Sequence, residues 1–209
     1  MGTGRKNSTI GTVVAVALIT ASSIVANTST AEAATGNQGY AVYRDGVGPD
    51  WHAAIMDDPH YNTTSLPVIH HPGPGYYVRW GSWSEFLGGH TYTGVYRPKT
   101  SPSSAARDNF VTMGRKLISE RIPYDLYFQV QYNSFTAGTW VDPGEITGIR
   151  CDGVVEYVFE WYGYRVYGND GLWDVTSNNL AIKTLHSGVA ITPKIQANSY
   201  LTRITTAKP

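Results

Sequence analysis

Short apolar segments bounded by turn residues recur along the chain, and this pattern predicts a series of β-strands. Glycine, proline, aspartate and serine separate the segments, as is typical of connections between strands. The aromatic-rich segment 76–83 fits either a strand or a loop, and 124–131 reads as extended. Strands are predicted over residues 40–43, 51–56, 67–70, 90–97 and 188–195.

Two other segments have the spacing of helices. Ser103 or Ser104 can cap a helix that runs to about Arg121. A second helix is predicted to begin at Cys151, because apolar side chains recur three, four, seven and eleven residues after it. Gly163 ends this helix, so that Cys151 lies in its first turn.

The first 33 residues have the layout of a secretory signal peptide. Basic residues precede a mostly apolar run over 10–26, and small residues follow up to Ala33. We therefore expect cleavage near Ala33 or Ala34, export, and one domain over residues 34–209. An uncleaved anchor is the alternative. Serine and threonine interrupt the run, and a span needs about 20 apolar residues, so we predict no stable membrane span after processing.

The charges of the chain are balanced, with 16 Lys and Arg residues against 16 Asp and Glu residues. A protein that binds nucleic acid or an anionic surface through a strong field carries an excess of basic residues. We therefore predict no nucleic-acid partner.

Cysteine usage is unusual for an exported domain, because Cys151 is the only cysteine and cannot form an internal disulfide. It is a buried structural residue, a link between two chains, or a reactive thiol. Its position favours reactivity, since the free amides and dipole at a helix start stabilise a thiolate. Gly153 leaves room for another group to approach the helix closely.

A cysteine nucleophile needs a histidine base and a group that orients it. Five of the six histidines lie between residues 52 and 90. His52 and His70 fall on neighbouring predicted strands, so their rings can meet as base and orienting residue. Adjacent His70 and His71 point to opposite faces, so we expect at most one of them in the site. Surface or core positions without a catalytic role are expected for His60, His90 and His186.

A zinc site is a further possibility that the histidines raise, because zinc accepts imidazole ligands. His52, His70 and His90 could supply three of them, but their spacing matches no compact zinc motif. We therefore predict neither a metal nor another cofactor.

Several segments, taken in order, resemble the permuted NlpC/P60-like hydrolases, including the YiiX-like group and the lecithin:retinol acyltransferase relatives. Trp51-His52-Ala-Ala-Ile-Met and Pro67-Val-Ile-His70 are similar to the histidine strands of that family. Arg150-Cys151-Asp-Gly-Val-Val-Glu-Tyr-Val-Phe resembles its nucleophile helix, with aspartate where serine is common. Val95-Tyr96-Arg97-Pro98 and Ile122-Pro123-Tyr124-Asp125 resemble its connecting region.

The resemblance implies an α+β, circularly permuted papain-like (NlpC/P60) fold, in which a small antiparallel sheet packs on the nucleophile-bearing helix. It also implies roles for individual residues: Cys151 as nucleophile, His52 as base and His70 as orienting residue. Tyr124 matches a tyrosine that helps to bind the oxyanion, for which the Cys151 amide is the better donor. Asp152 departs from the pattern, because its charge opposes thiolate formation unless its side chain turns to solvent.

The function expected from these features is an exported, secreted or cell-wall-associated cysteine hydrolase that cleaves an amide bond through a Cys-His-His site. Its expected substrate is a peptide, peptidoglycan or a lipid-like molecule. Three alternatives stay open: a non-catalytic module that binds cell-wall material or a partner, a lipid ester hydrolase or acyltransferase, and a covalent dimer.

Overall fold

The computed structural model describes residue 1 and residues 36–46, 51–58, 65–133, 141–167 and 191–209. The predicted signal peptide lies outside the described residues except for residue 1, and so do His60 and His186.

An antiparallel sheet of six strands forms the centre of the described structure. Its strands follow the order β4-β3-β2-β1-β5-β8, in which every neighbouring pair is antiparallel. A separate two-stranded sheet is formed by β6 and β7. The strands are β1 Ala41–Arg44, β2 His52–Met56, β3 Val68–His70, β4 Arg79–Gly81, β5 Tyr92–Pro98, β6 Val130–Tyr132, β7 Ile146–Ile149 and β8 Leu201–Thr205.

Helices lie on both faces of the large sheet. One face packs against α3, which also contacts α2, and Phe86 of α1 packs against the other. The helices are α1 Trp83–Leu87, α2 Ser104–Ser119, α3 Cys151–Trp161 and α4 Pro193–Ile195, with a 3₁₀ turn at Pro143–Glu145 and a π turn at Gln196–Tyr200. Every residue of α3 up to Glu160 is buried, so this helix runs through the interior.

The mixed content and the antiparallel sheet confirm the prediction of an α+β fold. The two long helices α2 and α3 begin and end within two residues of the predicted bounds, and so do four of the predicted strands. Ser103 caps α2 as expected, since its hydroxyl oxygen accepts from the amide of Ala106 at 3.2 Å.

The predicted final strand over 188–195 is wrong in its described part, because Pro193–Ile195 is helical. Thr192 caps this short helix by accepting from the Ile195 amide at 3.3 Å, and proline is well placed in a first turn. The final described strand is β8, further along the chain. In the segment 76–83, for which strand and loop were both open, the structure has β4 and then the start of α1.

Candidate active site

Cys151 is the first residue of α3 and is buried, with 6% of its surface exposed. Arg150 precedes the helix in extended conformation and offers its amides no side-chain cap. The backbone N–H groups of Ala53, in β2, and Asp152 lie close enough to the thiol sulfur to lower its pKa. The thiol therefore lies against the backbone of the strand that carries His52.

Gly153 brings a second backbone segment against the start of α3. A Cβ atom on Gly153 would lie 1.9 Å from the carbonyl oxygen of Gln129, so no larger residue fits without movement of the backbone. The same carbonyl accepts from the Arg150 amide at 3.0 Å. The group that closely approaches the helix at Gly153, as expected, is therefore the main chain at Gln129.

The Asp152 side chain points into the protein and not to solvent. Its charge therefore opposes thiolate formation at Cys151. Its side chain is fully buried and forms a bidentate ion pair with Arg150, whose Nε donates at 2.9 Å. Gln129 Nε2 also donates to it at 3.2 Å. Arg150 thus compensates a buried carboxylate beside Cys151. Burial lowers the pKa of the Arg150 guanidinium, but the charge and hydrogen bond of Asp152 outweigh burial and raise it.

The helix start was expected to stabilise a thiolate at Cys151, but burial of the thiol has the larger effect. Burial raises the pKa of the Cys151 thiol to about 12, and the negative charge of Asp152 adds to the effect. The N–H groups of Ala53 and Asp152 and the charge of Arg150 oppose it only in part. Cys151 is therefore a neutral thiol at neutral pH.

His52 and His70 meet as the strand pairing requires. His52 Nε2 lies 2.8 Å from His70 Nδ1, and the two rings stand at 72° to each other. Phe86 packs against both rings, with centroids 5.3 Å from His52 and 6.1 Å from His70. The prediction that these two histidines approach each other is confirmed.

The alternation of β2 places the histidine pair on the side of the sheet that α1 covers. Ala53 and Ile55 pack in the same cluster as α3, whereas Ala54 packs in the same cluster as Phe86. No hydrogen bond joins the Cys151 sulfur to His52 within the part of the chain that the structure describes. His52 is the first residue of its strand, and it reaches the cavity of Cys151 there.

Of the two adjacent histidines, His71 borders the cavity together with Cys151, and His70 does not. Its ring centroid is 5.0 Å from that of Tyr124. His71 Nδ1 accepts from the Gly73 amide at 3.2 Å, so the proton of the neutral ring is on Nε2, which faces the backbone of Ile122 and Pro123. His70 lies behind His52, and His71 lies on the cavity wall.

All three histidines are neutral at neutral pH because they are buried. Burial lowers the pKa of His52 well below its usual value, and it lowers the pKa of His70 to about 3. The positive charge of Arg79 contributes at His70. Burial lowers the pKa of His71 to about 4.

A cavity of about 450 Å³ joins these groups, which is within the usual size of a ligand pocket. Cys151, His52, His71 and Tyr124 all border it. Burial raises the pKa of the Tyr124 hydroxyl to about 12, so this group remains a hydrogen-bond donor. The wall also includes Arg44, Trp51, Pro72, Pro74, His90, Leu126, Arg150 and Pro193.

Glu85 is a charged neighbour of the histidine pair that the sequence analysis missed. Its Oε1 lies 3.9 Å from His70 Nε2, and its carboxylate pairs with Arg79. The spacing Ser82-x-x-Glu85 is a helix-start signature that could have revealed α1. The Ser82 hydroxyl does accept from the Glu85 amide, at 3.1 Å.

The described residues contain neither a metal-binding cluster nor a membrane-spanning helix. In the described ranges, no group of three or more His, Cys, Asp or Glu side chains could hold a metal ion. His52, His70 and His90 therefore do not form such a group. No helix in those ranges combines the length and the apolar character that a membrane crossing requires.

The side chains of the candidate site lie in two layers. Cys151, at a helix start, shares the cavity with His52, and His70 supports His52 from behind. The chain matches no protein-family model, no curated protein and no solved structure.

Proposed function

We propose that the protein is a cysteine hydrolase with a permuted papain-like arrangement, in which Cys151 attacks a carbonyl carbon and His52 is the base. The observation that carries the proposal is a shared cavity. Cys151 at a helix start and a histidine backed by a second histidine border the same space of about 450 Å³. A nucleophile, a base and an orienting group are the parts that covalent catalysis by a thiol requires.

His52 is a better base than His71, although both border the cavity. His71 uses its Nδ1 lone pair to accept from the Gly73 amide, so its Nε2 carries a proton and can only donate. His52 contacts His70 through Nε2, and when Nε2 carries the proton, Nδ1 is left to accept the thiol proton. His71 therefore acts as a donor on the cavity wall, and His52 as the base.

The resting site holds a neutral thiol and a neutral imidazole, so the proton moves during attack. The Cys151 sulfur forms a bond to the carbonyl carbon as its proton passes to His52 Nδ1. The tetrahedral intermediate then expels an amine, which takes that proton, and a thioester remains. Water hydrolyses the thioester with His52 again as base, and the free thiol is restored.

The oxyanion of this intermediate needs donors that face the cavity. The backbone amide of Cys151 is at a helix start with no side-chain cap, where amides lack partners within the helix. The Tyr124 hydroxyl is the second donor, because Tyr124 pairs with Ile149 in the strand that leads to Cys151.

The substrate in this proposal is an amide of a peptide or of cell-wall peptide, with a lipid ester as the second class. The proposal includes export, on the strength of the apolar run over 10–26 and the small residues that follow it.

A specific observation favours a second candidate function, a binding module without turnover. The thiol pKa of about 12 and the lack of a described Cys151–His52 hydrogen bond both fit a cavity that only binds.

Acylation of the protein separates the two candidates. The purified protein is incubated with p-nitrophenyl esters and peptide nitroanilides, and the acyl group on Cys151 is followed by intact-protein mass spectrometry. We expect acylation of the wild type, none in Cys151→Ala, and a rate about 100-fold lower in His52→Ala. Glu120→Ala, which changes a residue outside the cavity wall, is the control and should react like the wild type.

Equal acylation of His52→Ala and the wild type would rule out His52 as the base. Absence of acylation by every ester and amide, in a protein that still unfolds cooperatively, would favour the binding module. Iodoacetamide gives an independent measure, because the alkylation rate of His52→Ala should follow the thiolate fraction and rise about tenfold per pH unit up to the raised thiol pKa.

A further inference from the structure

The side of His70 that faces away from His52 is unsatisfied. His70 Nδ1 contacts His52, but His70 Nε2 is buried without a hydrogen-bond partner. The nearest charged oxygen is Glu85 Oε1 at 3.9 Å, which is beyond hydrogen-bond distance but close for a charge acting through the protein. A buried polar atom without a partner calls for an explanation.

The two rings share one proton between His52 Nε2 and His70 Nδ1, so two arrangements exist. In the first, His52 donates through Nε2 and keeps a lone pair on Nδ1, and the His70 proton is on Nε2. In the second, His70 donates through Nδ1, and the His52 proton is on Nδ1, which then cannot accept one from a thiol. Only the first arrangement gives a base.

The carboxylate of Glu85 distinguishes these arrangements. A negative charge 3.9 Å from His70 Nε2 attracts an N–H bond and repels a lone pair, so Glu85 favours the first arrangement. The positive charge of Arg79, which also acts on His70, favours the second, so removal of Glu85 leaves that charge unopposed. The site is built to hold this contact. Arg79 pairs with the Glu85 carboxylate, and Ser82 caps the helix that carries it.

Gly81 completes the contact by leaving space for the His70 ring. A Cβ atom on Gly81 would lie 2.4 Å from His70 Nε2. The ring can therefore point its Nε2 past β4 toward α1, where Glu85 lies.

We propose that Glu85 is a positioning residue that holds His70 with its proton on Nε2, and thereby leaves His52 Nδ1 free to accept a proton. The consequence for catalysis rests on the proposed function, but the proton positions do not. They can be measured in the resting protein without any substrate.

The experiment is two-bond ¹H–¹⁵N correlation spectroscopy on the full-length protein labelled with ¹⁵N-histidine. The spectra show which ring nitrogen carries the proton, and His52→Gln and His70→Gln assign the signals. In the wild type we expect the proton on Nε2 in both His52 and His70. In Glu85→Ala we expect both rings to shift toward the Nδ1–H form, and in Glu85→Gln a smaller shift in the same direction.

Glu120→Ala is the matched control, because it also removes a carboxylate that pairs with a basic side chain, Lys116, at the end of α2. Its histidine spectra should equal those of the wild type. The Glu85 side chain is 31% exposed, so its variants should fold, and the dispersion of the amide spectrum verifies this.

A wild-type His70 with its proton on Nδ1, or unchanged proton positions in both Glu85 variants, would overturn the proposal. Acylation of Cys151 in Glu85→Ala should also slow by about tenfold or more, with partial recovery in Glu85→Gln. The two proposals fail separately. A protein that never acylates but shows the expected shift in proton position keeps the role of Glu85 and loses the hydrolase function.

Discussion

The two ends of the candidate site are held in place by different forces. At the nucleophile end, a buried ion pair between Arg150 and Asp152 fixes the start of α3. At the base end, Phe86 packs against two uncharged rings, His52 and His70, which are joined by one hydrogen bond. One end depends on compensated charge and the other on packing.

Both forces suppress charge on the reacting group. The thiol of Cys151 keeps its proton because it is buried beside a carboxylate, and His52 stays neutral because it is buried near another histidine and Arg44. At neutral pH the site therefore holds neither a thiolate on Cys151 nor an imidazolium on His52. In the proposed hydrolase, charge therefore arises only when a substrate supplies the carbonyl that the sulfur attacks.

Removal of Arg150 should have the largest effect, because it breaks the nucleophile end and leaves the base end intact. Arg150→Ala leaves the buried Asp152 carboxylate without its cation, which costs about 3–5 kcal/mol of unfolding free energy. Urea denaturation measures the loss. Lys116→Ala, which breaks an exposed pair with Glu120, should cost about 0.5 kcal/mol or less. A loss of less than about 1 kcal/mol in Arg150→Ala would refute this account of the nucleophile end.

Gly81→Ala should disturb the base end and leave the nucleophile end intact. Its Cβ would lie 2.4 Å from His70 Nε2, so the ring or the strand must move, at a cost of about 1–3 kcal/mol. The 2.8 Å contact between His52 and His70 should be lost, and ¹⁵N-histidine spectra report this. Gly36→Ala, at a position with open space around it, should change neither stability nor spectra. Histidine signals that are unchanged in Gly81→Ala would contradict the packing described here.

Acid should weaken the base end through its neutral histidines. The folded-state pKa of His70, about 3, is below the unfolded value near 6.5, so the unfolded chain binds more protons between these pH values. Stability should therefore fall as the pH drops below about 6.5, by at most about 1.4 kcal/mol per pH unit for each such histidine. Urea denaturation from pH 7 to pH 4 gives the slope, and His70→Gln should reduce it. A flat profile would show that the rings are not buried as neutral groups.

The elements that carry the site follow from local patterns in the sequence. Alternation and turn residues identified β2 and β3, and helical spacing placed Cys151 at the first position of α3. Because antiparallel neighbours bring side chains of adjacent strands together, the approach of His52 and His70 was also predictable.

The electrostatics of the site could not be read in the same way, because they depend on burial. Local reasoning gave the helix start the larger weight, but desolvation of Cys151 outweighs it once the interior closes around α3. The inward turn of Asp152 depends on Gln129 as well as on its neighbour Arg150, and no local pattern links residues 129 and 152. The five-residue helix α1 was missed because it is too short to show a period.

Gln196 has a consequence for how the protein folds as it leaves the ribosome. Its Oε1 accepts from the Tyr43 hydroxyl, 153 residues earlier, at 2.5 Å, and its Nε2 donates to the Asp152 carbonyl at 3.0 Å, so one side chain joins β1 to α3. The strand that follows, β8, then covers the edge of β5. Contacts over such separations form late and slowly. A chain that emerges from its N-terminus lacks these hydrogen bonds to β1 and α3 until this glutamine arrives, and apolar surface that is exposed in that interval favours aggregation.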